Sequence, residues 1–339
     1  MTDFEFKVYV RCITFNHSRY IKDAMDGYAI QETLFPFLCV IVDDASTDGE
    51  QGVINDYLQK HFEIEDNTTC IRDETDEYTM VYCRHKTNRN CFFLIFLLKY
   101  NHFSKKQTKA KYFDNKWTKK SKYIAYCEGD DYWTDPHKLQ KQVDVLDNNP
   151  NFYMVYSDYQ TVDENKKVIN RPKYDYYKSL SHSGDILPTL FKTNFPLTLT
   201  VTIRQEVLTS DFYTKAPAFI DYITFMSAAF LGDAYYLTEK TGAYRLSPKG
   251  MMHSNMKDIH EIYRKIHPYV ILEYVNGHSK KMLFSHDIIT RHRIVYMAWD
   301  GCPYIIKDIL KIKPTYALFL ITVFVEKAWR HIAVLFTHK

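Results

Sequence analysis

Val8-Tyr9-Val10-Arg11-Cys12-Ile13-Thr14-Phe15 stops at Asn16-His17-Ser18, and Phe37-Leu38-Cys39-Val40-Ile41-Val42 stops at Asp43-Asp44-Ala45-Ser46-Thr47-Asp48-Gly49. Each is an apolar run of strand length, rich in β-branched residues, that ends in cap and turn chemistry. Between them Tyr20, Ile21, Ala24, Met25 and Tyr28 recur every three to four positions, which predicts a helix. Val53, Ile54, Tyr57 and Leu58 predict a second one after Gly49. The order β-α-β-α is the signature of a parallel sheet with crossover helices.

The same logic returns downstream. Tyr123-Ile124-Ala125-Tyr126 reads as a strand that runs into Cys127-Glu128-Gly129-Asp130-Asp131-Tyr132-Trp133. Asp135 and Pro136 predict a helix cap and its first residue, with Leu139, Val143 and Leu146 as the buried stripe. Phe152 to Ser157 reads as a strand and Asp163-Glu164-Asn165 as a hairpin turn. Leu197, Leu199, Val201 and Ile203 alternate with Thr198, Thr200 and Thr202, the pattern of a half-buried strand. A helix is expected from near Asp221 to near Gly232, and mostly helix from 255 onward. Phe92 to Leu98 is read as helical. From Lys99 to Lys122 nine lysines face one acid, Asp114. That run is either a solvated insertion or a contact for an acidic acceptor or anionic surface.

Composition bounds the function. The 339 residues leave room for an α/β domain of about 250 and a remainder of about 90. Forty-four basic against 41 acidic residues is too balanced for a bulk nucleic-acid binder. Apolar content of 46% with 25% charged excludes wholesale disorder. Ten glycines leave almost nothing for a glycine-rich phosphate loop. The 28 tyrosines and 22 phenylalanines are either core or sugar-stacking surface, and Tyr132-Trp133 is expected to face sugar. Seven cysteines without a CxxC pair, behind a start with no basic-then-apolar pattern, point to reduced thiols in the cytoplasm. No run reaches the roughly 20 apolar residues of a membrane span. The tail, Tyr316 to Val325 and then Ala328 to Phe336, is either a packed helix or a peripheral contact with the inner membrane face.

Ligands of a parallel α/β sheet sit beyond the carboxyl ends of its strands. Two such ends carry acid pairs, Asp43-Asp44 and Asp130-Asp131. Adjacent carboxylates repel unless something uses their charge, and Mg²⁺ or Mn²⁺ does so while sharing phosphate oxygens. A metal also does the phosphate binding for which the chain lacks glycines.

On these residues the chain resembles the family 2 glycosyltransferases. Val8 to Gly49 is similar to the family's opening. Tyr123 to Asp158, with Glu128-Gly129-Asp130-Asp131-Tyr132-Trp133-Thr134-Asp135-Pro136, is similar to bacterial members that build surface polysaccharides such as capsule and O-antigen. The resemblance implies a GT-A fold: an α/β, Rossmann-like, mostly parallel central sheet flanked by helices. The glycosyltransferase domain would span 1–250, with a C-terminal helical region over 251–339. It implies a nucleotide-diphosphate sugar donor (a UDP-sugar by prior), a divalent cation, inversion at the anomeric carbon, and a glycan or lipid-linked acceptor hydroxyl. Carried over by position, Thr14 and Asn16 lie on the first donor loop and Asp44 contacts the nucleobase. Asp131 holds the metal, and Asp130 holds the ribose or the metal shell, with Glu128 in place of the usual first aspartate. Asp221 is the general base, unless it is a plain helix cap, with Asp233 as competitor. Arg245 pairs the diphosphate or braces Glu239. Residues 84–91 supply base contacts, and His253 is displaced from the family's histidine. Outside this family, a metal-dependent nucleotidyltransferase, a non-catalytic carbohydrate-binding protein and a membrane-docked partner protein remain as alternatives.

Overall fold

A computed structural model of the chain describes residues 6–65, 68–246, 256–277, 288–299, 306, 310 and 317–336. Ten strands form one sheet: β1 Val8–Thr14, β2 Phe37–Asp43, β3 Ile71–Glu74, β4 Tyr78–Arg84, β5 Cys91–Leu98, β6 Tyr123–Tyr126, β7 Tyr132–Trp133, β8 Phe152–Val162, β9 Thr202–Arg204 and β10 Asp233–Arg245. Their order is β3-β4-β5-β2-β1-β6-β9-β8-β10-β7. The pairings β5-β2, β2-β1, β1-β6 and β8-β10 are parallel. The pairings β3-β4, β4-β5, β6-β9, β9-β8 and β10-β7 are antiparallel. Seven of the ten strands therefore point one way, and β4, β9 and β7 point the other. This is the mixed, mostly parallel α/β sheet expected.

Helices α1 Ile21–Ala29, α2 Glu50–His61, α3 Ala110–Phe113, α4 Lys138–Asn148 and α5 Pro172–Ser179 belong with the sheet. The remaining helices are α6 Leu187–Lys192, α7 Glu206–Thr209, α8 Asp211–Thr214, α9 Asp221–Leu231, α10 Met256–Gly277, α11 Ile288–Trp299 and α12 Ala317–Phe336. The chain divides into two compact units. One holds the sheet (1–184, 196–207 and 232–247), and the other is helical (185–195, 208–231 and 248–339).

The sheet's core takes up part of the aromatic content. Trp133, Tyr28, Tyr123 and Tyr156 are among the largest buried side chains. Tyr28 donates to the Cys127 carbonyl (2.8 Å). Trp133, expected to face sugar, is buried instead, and its indole N–H donates to the Leu199 carbonyl (2.8 Å). A buried indole needs such a partner. The six described cysteines (12, 39, 70, 83, 91 and 127) are all buried free thiols.

Three local expectations change. Cys91–Leu98 is strand β5, buried at every position between β4 and β2. A continuous apolar run has no period, so periodicity cannot separate a buried strand from a helix. The threonine-rich stretch is not one strand. Thr198–Thr200 is a 3₁₀ turn, closed by Thr200 Oγ1 donating to the Leu197 carbonyl (2.7 Å), and only Thr202–Arg204 is extended. Such local side-chain bonds compete with the ladder. The helix caps also move. α1 begins after Tyr20 with no side-chain cap, and Asp135 caps the turn at the His137 amide (2.9 Å) ahead of α4.

Candidate functional site

β1 and β2 lie side by side and end together, so their loops emerge at one edge. The Asp44 amide donates to the Thr14 carbonyl (3.0 Å). Both loops turn through left-handed backbone at a residue with a side chain, Asn16 (φ 58°) and Ala45 (φ 60°). Such conformations cost energy and persist where the surroundings over-determine them. The surroundings here are a lattice of bonds. The Asn16 amide donates to Ser46 Oγ (2.8 Å), and Asn16 Oδ1 accepts from the Thr47 amide (2.8 Å). The Ser18 amide donates to Asp48 Oδ2 (2.9 Å). Glu50, fully buried, accepts from Thr14 Oγ1, from the His17 amide (2.8 Å) and from Ser46 Oγ (2.8 Å). Burial raises the Glu50 carboxyl above its usual value.

The loop after β6 closes on this pair. The Gly129 amide donates to the Ile13 carbonyl (3.3 Å), and Glu128 Oε2 accepts from the Ile13 amide (2.6 Å). A Cβ at Gly129 would collide with the Thr14 side chain, so only glycine lets the two loops approach. Asp130 follows with a partly exposed carboxylate, 3.9 Å from His17 Nε2. Asp131 is buried, and its Oδ1 accepts from the Arg245 amide (2.8 Å). Burial, and then the neighbouring Asp130 charge, push the Asp131 carboxyl well above the usual range.

Arg245 ends β10 with a side chain wholly shielded from solvent. Its Nη2 donates to Asp23 Oδ2 (2.8 Å), and its guanidinium lies 4.3 Å from the Tyr20 ring centre and 5.2 Å from that of Tyr132. Nε and Nη1 are buried and make no hydrogen bond. Buried charged donors left unpaired are costly and rare. Of the two readings of Arg245, the brace to Glu239 is replaced by Asp23, and Glu239 lies near Lys141 instead (3.7 Å).

Thr14, Asn16, Asp130, Asp131 and Arg245 thus converge at the carboxyl ends of β1, β2, β6 and β10. Asp44 lies there too, but its carboxylate already accepts from the His102 amide (2.7 Å), the Phe103 amide (3.1 Å) and Lys109 Nζ (2.8 Å). The lysine-rich segment is therefore anchored onto this edge through Asp44. Residues 84–91 are elsewhere. They join antiparallel β4 to β5, and the Asn90 carbonyl accepts from the amide of Phe37, the first residue of β2 (2.9 Å). Base contacts from 84–91 are thereby excluded, because that turn sits at the amino end of the sheet. Asp233 is excluded likewise, as the first residue of the 13-residue β10 that ends at Arg245. Asp221 opens α9 in the helical unit, exposed, with Oδ1 accepting from the Tyr222 amide (2.7 Å). His253 lies outside the described residues.

Sequence reasoning missed Glu50 and Asp23, which hold the loop after β1 and Arg245 respectively. A glutamate in a helix's first turn reads as ordinary dipole compensation, so Glu50 carried no signal. Among the described residues no three His, Cys, Asp or Glu side chains form a ready metal cage. The donor set still suits a hard divalent cation that takes one or two carboxylates. Glu128, Asp130 and Asp131 share one turn, and the Asp131 carboxyl is raised first by its burial and then by the Asp130 charge.

The fold has solved relatives. The S. aureus TarS 1–349 structure with UDP-GlcNAc superposes at a TM-score of 0.50 with 16% identity, over 88% of this chain and 80% of that one. The TarS structure with UDP covers 96% and 92% at the same score. The mannosyltransferase PcManGT from Pyrobaculum calidifontis, in complex with GDP-Man and Mn²⁺, gives 0.50 at 15% identity over 99% and 82%. The architecture is thus the GT-A fold of glycosyltransferases. In sequence, the uncharacterized proteins Rv1520 of Mycobacterium tuberculosis and Mb1547 of Mycobacterium bovis are each 27% identical over 276 residues, 79% of this chain and 69% of theirs. No protein-family model matches the chain.

Proposed function

We propose that the chain is an inverting glycosyltransferase of the family 2 type. It moves a sugar from a nucleoside-diphosphate donor, a UDP-sugar by preference, to a hydroxyl of a glycan or lipid-linked acceptor. The observation that carries this reading is Arg245. A shielded guanidinium with two unpaired nitrogens stands beside a crowded turn of carboxylates, and a diphosphate carries the oxygens that such a fork binds. The solved relatives, complexed with UDP-GlcNAc, UDP or GDP-Man, support a nucleotide-sugar donor.

Thr14 and Asn16 shape the loop on which the donor lies, with Glu50 holding that loop rigid. Asp131 and Asp130 would hold Mn²⁺ or Mg²⁺, as the Mn²⁺ of one relative supports. Such a cation, when bound, neutralises charge on a leaving diphosphate. Arg245 holds the diphosphate through Nε and Nη1. Asp221 takes the proton of the acceptor hydroxyl as its oxygen attacks the anomeric carbon. The bond from that carbon to the diphosphate breaks, and the leaving oxygen keeps the electron pair. Asp44, placed at the nucleobase by the resemblance, ties the lysine-rich segment to this edge. We assign the transfer chemistry to 1–250, acceptor choice to residues 160–220 and the C-terminal helices, and the work to bacterial surface-polysaccharide synthesis on the cytoplasmic side.

Two measurements test this. Asp221→Asn should bind donor as the parent does and release no nucleoside diphosphate in the presence of acceptor. Parental turnover in that variant removes Asp221 as base. Calorimetry of UDP binding should show affinity that rises at least about tenfold with Mn²⁺ and loses that gain in Asp131→Asn. A metal-independent affinity removes the cation from the site. Release of pyrophosphate in place of a nucleoside diphosphate would make the chain a nucleotidyltransferase.

A further inference from the structure

α12 has two unlike faces. On one, Val323 is buried, Glu326 pairs with Arg293 (3.6 Å) and His292 (3.8 Å), and Lys327 Nζ lies 4.1 Å from the Tyr296 ring centre. All those partners belong to α11. On the other, Leu318, Ile321, Phe324 and Val325 are 69, 64, 61 and 48% exposed. Leu318, Ile321 and Val325 follow the three-and-four spacing of a single stripe. No residue from 317 to 325 is charged. Trp299, the last residue of α11, extends the patch, with its ring 6.5 Å from that of Phe324. A helix packed on a protein body hides its large apolar side chains, each worth about 1.5–3 kcal/mol on full burial. This one leaves four of them in water, which marks an interaction surface.

The net charge of the sequence that carries this helix selects the occupant. Residues 303–339 hold six Lys and Arg (307, 311, 313, 327, 330 and 339) against Asp308 and Glu326, and Glu326 is already paired. A second copy docked through this face would bring two like-charged tails together. An anionic bilayer offers opposite charge and an apolar layer into which a helix face sinks about 5–10 Å. No helix among the described residues is long and apolar enough to cross a membrane, so α12 would lie in the surface. We propose that α12 seats Leu318, Ile321, Phe324 and Val325 in the interfacial layer of an anionic lipid membrane. The proposal stands or falls independently of glycosyl transfer.

The full chain should float with phosphatidylcholine vesicles that contain phosphatidylglycerol, and not with vesicles of phosphatidylcholine alone. Ile321→Glu combined with Phe324→Glu should cut the bound fraction about tenfold or more, with the melting temperature unchanged because both positions are exposed. If the double variant melts early, Leu318→Glu alone is read in the same way. A parent chain that ignores anionic vesicles, or a stable variant that still floats, overturns the proposal. So does light scattering that shows a dimer which the variant dissolves, since the face would then belong to a second copy.

Discussion

Lys138 reads in the sequence as one more solvated lysine in Lys138-Leu139-Gln140-Lys141, yet it is fully buried. Its Nζ donates to Gln142 Oε1 (2.6 Å) and lies 4.4 Å from the Trp133 ring centre. Burial pushes its ammonium down to about 7. An unfolded lysine titrates near 10.4, so above about pH 7 the unfolded chain binds the extra proton. Its contribution to stability then rises with pH from about 7. The buried thiols Cys12, Cys39, Cys83 and Cys127 are raised, so above about pH 8.5 they oppose the trend. Lys138 should therefore lift urea midpoints between pH 6.5 and 8.5, within the roughly 7–8.5 window these values define, against the opposing slope of the raised Asp131 carboxyl. Lys138→Met should flatten the climb, and an unchanged slope in that variant refutes the assignment. Residues of this kind escape sequence reading, because burial is decided by what packs over them. Lys138 and Glu50 both sit in amphipathic helices at positions where solvent is the ordinary expectation.

At the scale of elements, legibility follows periodicity. β1, β2, β6, α1, α2 and α9 could be read because each has a period or a sharp stop. β5 could not, since seven apolar residues in a row suit either conformation. Loop backbone is harder still. Asp130 and Asp131 were singled out by their strand-end position and Thr14 and Asn16 by the family resemblance, but nothing in Asp44-Ala45-Ser46 announces a left-handed alanine. That conformation costs an L-residue about 1–2 kcal/mol relative to its usual backbone. Ala45→Gly should therefore raise stability by about 1 kcal/mol in urea titration. A lower midpoint would show that the loop is held without strain. The lysine-rich segment was legible as charge but not as placement. Its fixed point is the Asp44 carboxylate with Lys109 Nζ and two backbone amides, a contact across 65 residues that composition does not encode.

For the whole molecule, the expectation was one α/β body of about 250 residues followed by a helical remainder, whereas the two compact units interleave. Segments 185–195 and 208–231 join the helical unit although they precede the sheet's last strand. Such interleaving is set by tertiary packing and leaves no mark on composition. A nucleotide site organised around Arg245 and Asp131 also makes a claim on global stability. Ligand at 100 times its Kd adds about 2.7 kcal/mol to the folded state. UDP with Mn²⁺ should therefore raise the melting temperature, and UMP should raise it less. Equal shifts for UDP and UMP would mean that Arg245 and the carboxylates do not meet the second phosphate.

The bond from the Arg245 amide to Asp131 spans 114 residues, and the one from its guanidinium to Asp23 spans 222. Ribosomes add roughly 5–20 residues per second. The acidic turn therefore leaves the ribosome roughly 6–23 s before the strand that supplies its amide partner. During that interval β1, β2 and β6 can pair while the Asp131 carboxylate has no Arg245 to meet. The candidate site is thus among the last parts of the nascent protein to become whole. A premature stop anywhere between these two residues would yield chains that lack the Arg245 side of the site.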